Sequence, residues 1–531
     1  MRYAVLSLWA AFSLVAADYD WVFRNARVID GAGNPWFYAD VAVKDGRIAA
    51  VGQLPNADGE RTVDAAGRYL APGFIDVHTH IEGTVEKVPL GDNFVFDGVT
   101  TVVTGNCGGS EVDLDAWFSA LEKAGLGFNV ASLIGHNSVR SKVMGRENRP
   151  ASAEELAAME ELVEKAMVAG AVGFSTGLIY TPGTYAPTAE IITLAKVASR
   201  HGGLYATHMR DEGEQITEAI AEAIQVGRDA DLPVQISHFK IDNKRLWGMS
   251  KTTLGLIDKA RDEGIDVVVD QYPYDRSSTS LNIVLPSWSL AGGMDALKER
   301  LHSPATRARI AREMEEMLRE KGRDDYAYAM VAGFEPDRSL EGKTIPEINA
   351  LRGREPSLAN EILTVMEMMN QGGAQMVYHS MSLEDVERII QYPWAAVASD
   401  GGTRVRGEGR PHPRSYGTNA RVLARFVVER NLLRLEDAIR RMTSLPARTF
   451  GFRDRGQIRE GMAADLVLFD LKQVRDRATF EDPHQYSAGF EIVLVNGAAV
   501  IDDGKITGRR PGRIIRGPAF VRAPADGPPS R

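Results

Sequence analysis

The strongest constraint on this chain is a rhythm in its middle. Eight strand-like runs follow one another between residues 71 and 452: "GFIDVHTH", "VTTVVTGN", "FNVASLIGH", "AVGFSTGL", "LYATHMR", "PVQISHFK", "IDVVVDQYPY" and "AAVASD". Helical patterns such as 152–170 and 213–230 lie between many of them. Strand-then-helix repetition predicts a parallel sheet with covering helices. Eight such units predict a (β/α)8 TIM-like barrel. The run "AQMVYHS" (374–380) also reads as a strand, which leaves nine candidates for eight places. Residues 287–373 break the rhythm with a charged helical stretch and several turns. They are read as an insertion between the seventh and eighth strands, a lid over the barrel mouth.

The two ends share a different texture. Residues 18–70 and 453–515 are short β-branched runs punctuated by Asp-Gly, Ala-Gly and Asn-Gly turns. Neither piece is long enough to close a core alone. Paired, they form a small β-sandwich domain into which the barrel is inserted. The Pro-rich segment 516–531 is expected to be a flexible tail. At the other extreme, Arg2, the apolar run 4–15 and the small residues Val15-Ala16-Ala17 form a secretory signal pattern over residues 1–17. It predicts a secreted or periplasmic protein, with no membrane contact after the signal is removed. A net charge of −10 with no long basic run argues against nucleic acid as a partner.

In a barrel of this kind, chemistry sits at the C-terminal ends of the strands. The first run closes on His78-Thr79-His80, the second on Cys107, the fifth on His208, the sixth on His238 and the eighth on Asp400. A single histidine at a strand end is more often hydrogen-bonded structure than a ligand. Here four of the ten histidines fall at such ends. They are joined by the only cysteine in the chain. Imidazole, thiolate and carboxylate together suit zinc better than calcium or magnesium. Cys107 is therefore read as a metal-bound thiolate, which also protects a lone thiol outside the cell.

The motifs "GFIDVHTH", "GVTTVVTGNCGGS", "STGLIYTPGTYA", "HMRDEG", "QISHFK", "SDG" and "PHPR" resemble the amidohydrolase superfamily and, within it, the D-aminoacylase (N-acyl-D-amino-acid deacylase) family. The likeness covers nearly the whole chain after the signal. It implies one tightly held zinc on Cys107, His208 and His238, and a weaker second metal on His78, His80 and Asp400 with Cys107 bridging. Many superfamily relatives bridge with a modified lysine on the fourth strand; "AVGFSTGL" has none. The implied reaction is hydrolysis of the amide of an N-acyl-D-amino acid, a small-molecule substrate. Asp400 is the general base for the attacking water and passes the proton to the leaving nitrogen. The family also implies a substrate carboxylate near Lys240 and Arg414, with Tyr272 or Tyr274 helping. Tyr180 and Tyr185 either line the acyl pocket or pack their loop.

Other polar residues are open. His136 reads as support behind the site and His379 as structural. Arg210 and Asp211 are read as an orienting ion pair, and Arg404, Arg406 and Arg410 compete with Arg414 for the carboxylate. His412 sits in the same loop, and His201, His302 and His484 read as surface or packing residues. Two other functions fit the same motifs: hydrolysis of a cyclic amide or dipeptide, dihydroorotase-like or isoaspartyl-peptidase-like, and a catalytically silent barrel used for binding.

Overall fold

The computed structural model describes residues 17–521. The expected signal segment, apart from Ala17, and the last ten residues lie outside that range. Eight parallel strands form the barrel: Phe74–Asp76, Val99–Thr104, Asn129–Ser132 resumed at Ile134–Gly135, Gly173–Gly177, Leu204–His208, Val234–Ile236, Val267–Gln271 and Ala395–Val397. Neighbours in sequence are neighbours in space, in two sheets that meet at the broken third strand. The ring closes where Thr79 bridges Gly401 in parallel and His80 N–H donates to the Gly401 carbonyl at 2.7 Å.

Side-chain parity explains why these runs are strands buried on both faces. Ile75, Val103, Ala131, Val172, Ala206, Val268 and Ala396 form one cluster, with Leu445, Phe450 and Phe452 packed onto it. Residues of the other parity, such as Phe74, Val102, Val130, Phe174 and Tyr205, join the core shared with the helices. The helices are cut to length by their ends. Ala153–Ala169 starts at Ser152, which forms a capping box with Glu155, and stops at Gly170 with φ 110°. Its buried face is Met159, Val163, Ala166 and Met167, the spacing of one helical stripe.

Both chain ends build one nine-stranded sheet. Tyr19–Val28 is its branch point, pairing with Phe37–Lys44 on one edge and with Gly59–Asp64 and Tyr69–Pro72 on the other. Leu466–Phe469 then joins Tyr69–Pro72 antiparallel, so residues about 400 apart share one core containing Phe23, Val41, Leu70, Leu466 and Leu494.

The ninth candidate strand belongs elsewhere. Gln375–His379 pairs antiparallel with Arg276–Ser280 and with Ala329–Gly333, forming a separate three-stranded sheet. That sheet and the helices Met294–His302, Pro304–Glu320 and Leu358–Asn370 have their own core, including Leu297, Ile310, Val365 and Met376. The inserted unit is thus wider than 287–373, because strands on either side of that span supply its hydrogen bonds. Arg516 and Gly517, at the start of the expected flexible tail, are placed against the barrel instead. Residues 512–517 lie along the barrel, with Ile515 N–H donating to the Val130 carbonyl and Gly517 N–H to the Gly170 carbonyl. Arg516 reaches the Ala169 carbonyl at 2.7 Å. Among the described residues no helix is long and apolar enough to cross a membrane.

Candidate metal centre

All six expected ligands converge just beyond the strand ends. Cys107 Sγ lies 3.3 Å from His78 Nε2, 3.5 Å from His238 Nε2 and 3.7 Å from His208 Nδ1. Asp400 Oδ1 lies 3.1 Å from His80 Nε2 and 3.6 Å from His78 Nε2. Three triads have ligand atoms mutually within 4.8 Å: Cys107–His208–His238, His78–His80–Cys107 and His78–His238–Asp400. Cys107 belongs to the first two, the position of a bridging ligand. Burial opposes ionisation of its thiol, yet His78, His238 and His208 together hold it well below the ordinary thiol range. The donor set therefore presents a thiolate among imidazoles, which fits zinc, with room in the ligand set for a second metal.

Local backbone geometry aims these groups. Cys107, His238 and Asp400 have φ of 52°, 36° and 49°, a region that residues other than glycine rarely adopt. The glycines around Cys107 serve the same turn. Gly105 has φ 76° and a Cβ there would lie 2.2 Å from the Leu133 carbonyl oxygen. Gly108 has φ 74° and a Cβ would lie 2.1 Å from Asn137 Oδ1. Only glycine meets both demands.

Two carboxylates that the motif reading passed over stand behind the ligands. Glu212 Oε1 lies 3.1 Å from His238 Nδ1 and 2.6 Å from Lys240 Nζ, while Oε2 lies 3.5 Å from His208 Nε2. Burial opposes its charge, but His208, Lys240 and His238 hold its carboxyl far below the usual range. Asp270 lies 3.3 Å from His78 Nδ1, accepts the His238 N–H at 2.8 Å and accepts from Gln235 Nε2 at 2.7 Å. One buried carboxylate thus orients a ligand of one triad and pins the strained backbone of another. Its signal in the sequence was a lone charge inside "VVVDQ"; that of Glu212 lay within "HMRDEG".

The expected substrate residues divide. Lys240, Tyr272, Tyr180 and Asp400 line one cavity over the centre. Tyr272 has a buried hydroxyl with no hydrogen-bond partner among the described residues, and burial raises its pKa to about 12. Arg414 pairs with Asp400 at 2.9 Å, donates to the Ser278 carbonyl at 3.1 Å and lies 4.5 Å over the Tyr272 ring. Tyr274 turns away to pack on Arg421 and His412. The strand has already ended at Gln271, and Tyr274 N–H bonds back to the Tyr272 carbonyl, so strand parity no longer applies. Tyr180 packs 4.6 Å from the His208 ring, while the Tyr185 hydroxyl donates to the Ser287 carbonyl.

The remaining polar residues settle into structure. Arg210 pairs with Glu222 rather than Asp211, and Asp211 accepts the Gly213 and Gln215 N–H groups. His136 joins Glu190 and Arg140 in a buried cluster. Arg404 donates to Ser415, Arg406 covers Tyr486, and Arg410 reaches the Glu481 carbonyl. His379 sits beside Trp247 and Asp275 in the insertion, and His412 Nε2 meets the Arg276 carbonyl. His201 pairs with Glu164, His302 with the Lys298 carbonyl and His484 with Tyr416.

A closed barrel whose strand ends bring four histidines, a cysteine and an aspartate together in a cluster that could hold metal defines a class of metal-dependent hydrolase scaffold. The amidohydrolase family model matches residues 61–501. The chain is 37% identical to N-acyl-D-glutamate deacylase of Alcaligenes xylosoxydans xylosoxydans over 94% of this chain and 97% of that one. It is 36% identical to D-aminoacylase of the same organism over the same shares. A solved N-acyl-D-glutamate deacylase from Bordetella bronchiseptica, complexed with zinc and a phosphonate mimic of the tetrahedral intermediate, superposes with a TM-score of 0.80 at 34% identity, covering 94% of this chain and 100% of that one. The chain belongs to the D-aminoacylase family of the amidohydrolases.

Proposed function

We propose that this protein is a zinc-dependent hydrolase that cleaves the amide bond of N-acyl-D-amino acids to a carboxylate and a free D-amino acid. The observation that carries the reading is the placement of Asp400 with His78 and His238 in one of three overlapping triads, two of which share Cys107 and two of which share His78. Cys107, His208 and His238 would hold the zinc, which when bound would make a water nucleophilic near neutral pH and polarise the substrate carbonyl. The chain's own groups do the rest. Asp400 accepts the proton from the attacking water at a carboxylate oxygen and returns it to the departing nitrogen. Arg414 holds Asp400 ionised and in place. Tyr272, with its unpaired hydroxyl, and Lys240 receive the substrate carboxylate; Arg414 closes over the same ring. Glu212 and Asp270 keep the imidazoles oriented.

A panel of N-acetyl-D- and N-acetyl-L-amino acids, cyclic ureides and dipeptides, run with metal analysis, tests this. Release of D-amino acids is expected. Faster turnover of the cyclic or dipeptide substrates would favour the dihydroorotase-like or isoaspartyl-peptidase-like alternative, and zinc without any turnover the silent barrel.

We further propose export to a secreted or periplasmic location, on the pattern of residues 1–17 alone. Expression of the full chain with cell fractionation tests it: cleavage near Ala17 and recovery outside the cytoplasm are expected, and an uncleaved cytoplasmic product would refute it.

A further inference from the structure

We infer that Asn93 and Asp97 are positioning residues for the general base: together they set how closely Arg414 approaches Asp400. The inference rests on the proposed function and extends its machinery to two side chains that do not line the cavity over the metal centre.

Asp400 and Arg414 belong to segments that meet backbone to backbone. Asp400 sits on the turn after the eighth strand, at φ 49°, and Arg414 opens the helix Arg414–Arg421. A Cβ on Gly401 would lie 2.9 Å from Ser415 Cα, so the residues that follow Asp400 and Arg414 are in contact. Asn93, on the short helix Asp92–Val95 between the first two barrel strands, ties these segments together. Its Nδ2 donates to the Gly402 carbonyl at 3.0 Å and to the Ser415 carbonyl at 2.6 Å, and its Oδ1 accepts the Arg404 N–H at 3.3 Å. Asn93 is buried, so water does not compete for these groups. Two donors and one acceptor on a short side chain are what asparagine supplies and aspartate, serine or leucine does not.

Asp97 fixes the same helix farther on. Gly417, at φ −140° and ψ 21°, interrupts the helix. In an unbroken helix the Asn419 and Ala420 N–H groups would meet the Ser415 and Tyr416 carbonyls. Here the two N–H groups donate to Asp97, at 2.7 Å to Oδ2 and 3.0 Å to Oδ1, and Asn419 Nδ2 donates to Oδ2 at 3.1 Å. The Ser415 carbonyl takes Asn93, and the Ser487 hydroxyl lies 3.0 Å from the Tyr416 carbonyl and 2.7 Å from Asp97 Oδ1. Asp97 is buried as well, which makes each of these bonds costly to lose. The kinked helix is therefore held from outside, and Arg414 at its start is held against the Asp400 turn.

The test is a double-mutant cycle on the zinc-loaded protein, read by kcat/KM for an N-acetyl-D-amino acid and by zinc content. Asn93→Leu keeps the volume and deletes the three bonds. It is expected to retain zinc at the tight site and to lower kcat/KM by about 10–100-fold, the scale of a misplaced catalytic group. In an Arg414→Met background the same change should cost at least about fivefold less, a coupling in the range for residues of one network. A loosened fold would cost the same in both backgrounds. Asp97→Asn, isosteric but with an amide facing N–H donors, is expected to show the same pattern and stands in if Asn93→Leu does not fold. Crystals of either variant should show Arg414 farther from Asp400 than in the unaltered protein. Equal costs in the two backgrounds, an unmoved pair, unchanged kcat/KM or lost zinc would overturn this inference and leave the proposed function standing. No turnover of any N-acyl-D-amino acid by the unaltered protein would overturn both.

Discussion

Arg414 Nη1 lies 2.9 Å from Asp400 Oδ2, which couples a residue of the carboxylate end of the site to the group that moves the proton. Burial opposes the charge on Asp400, yet Arg414, His78, His80 and His238 hold its carboxyl well below the ordinary range. The base is therefore ionised even in mildly acidic solution.

The pH profile follows from that pair. Arg414→Met removes the largest attraction on the Asp400 carboxylate, so its pKa rises. The acid limb of kcat should move to higher pH, by about one unit or more for loss of a contacting cation. A limb that stays in place would mean that Arg414 does not tune the base.

Asp400→Asn keeps Cys107, His208 and His238 intact. Zinc content at the tight site should persist while kcat falls by roughly 10²–10⁴-fold, the range for loss of general acid–base catalysis. Full activity in this variant would remove Asp400 from the proton path.

Cys107→Ala deletes the group common to two triads. Both metal positions should weaken, and the purified protein should contain far less than one equivalent of zinc. Zinc content matching the unaltered protein would return Cys107 to the role of a small buried side chain.

Glu212→Gln keeps the shape and one acceptor but loses the charge that faces His208, His238 and Lys240. Zinc affinity, read by competition with a chromogenic chelator, should drop about 10–100-fold. The apo protein should also be less stable, because Lys240 is left buried beside no counter-charge. An unchanged zinc affinity would make Glu212 a partner of Lys240 only.

Gly108→Ala alters no ligand. Its Cβ would press on Asn137 Oδ1 at a positive φ, so the Cys107 turn must shift. A loss of stability of roughly 1–3 kcal/mol is expected, together with reduced zinc content. Normal zinc content would show that the turn can adapt without moving the thiolate.

Much of the site was legible in one dimension. His78, His80, Cys107, His208, His238 and Asp400 each close a recognisable strand pattern, and a barrel brings strand ends to one rim. The parts that were not legible depend on where the chain leaves the strand. Tyr272 and Tyr274 have the same parity, but only Tyr272 faces the cavity, since the backbone turns after Gln271. Arg210 pairs with Glu222, while its neighbour Asp211 turns back onto the Gly213 and Gln215 N–H groups of the bend after His208. Glu212 and Asp270 carried little signal alone, as a carboxylate shows its purpose only beside what it touches.

The sequence by itself determined the barrel, the joining of its two ends into one β domain, and the chemistry of the metal ligands. Periodicity and residue type are local properties, and burial selects for them strand by strand. The tertiary structure alone decided that Gln375–His379 belongs to the inserted unit, that Glu212 backs two histidines at once, and that the cavity's lysines already have partners. Those facts are distances between residues far apart in the chain, and no periodicity records them.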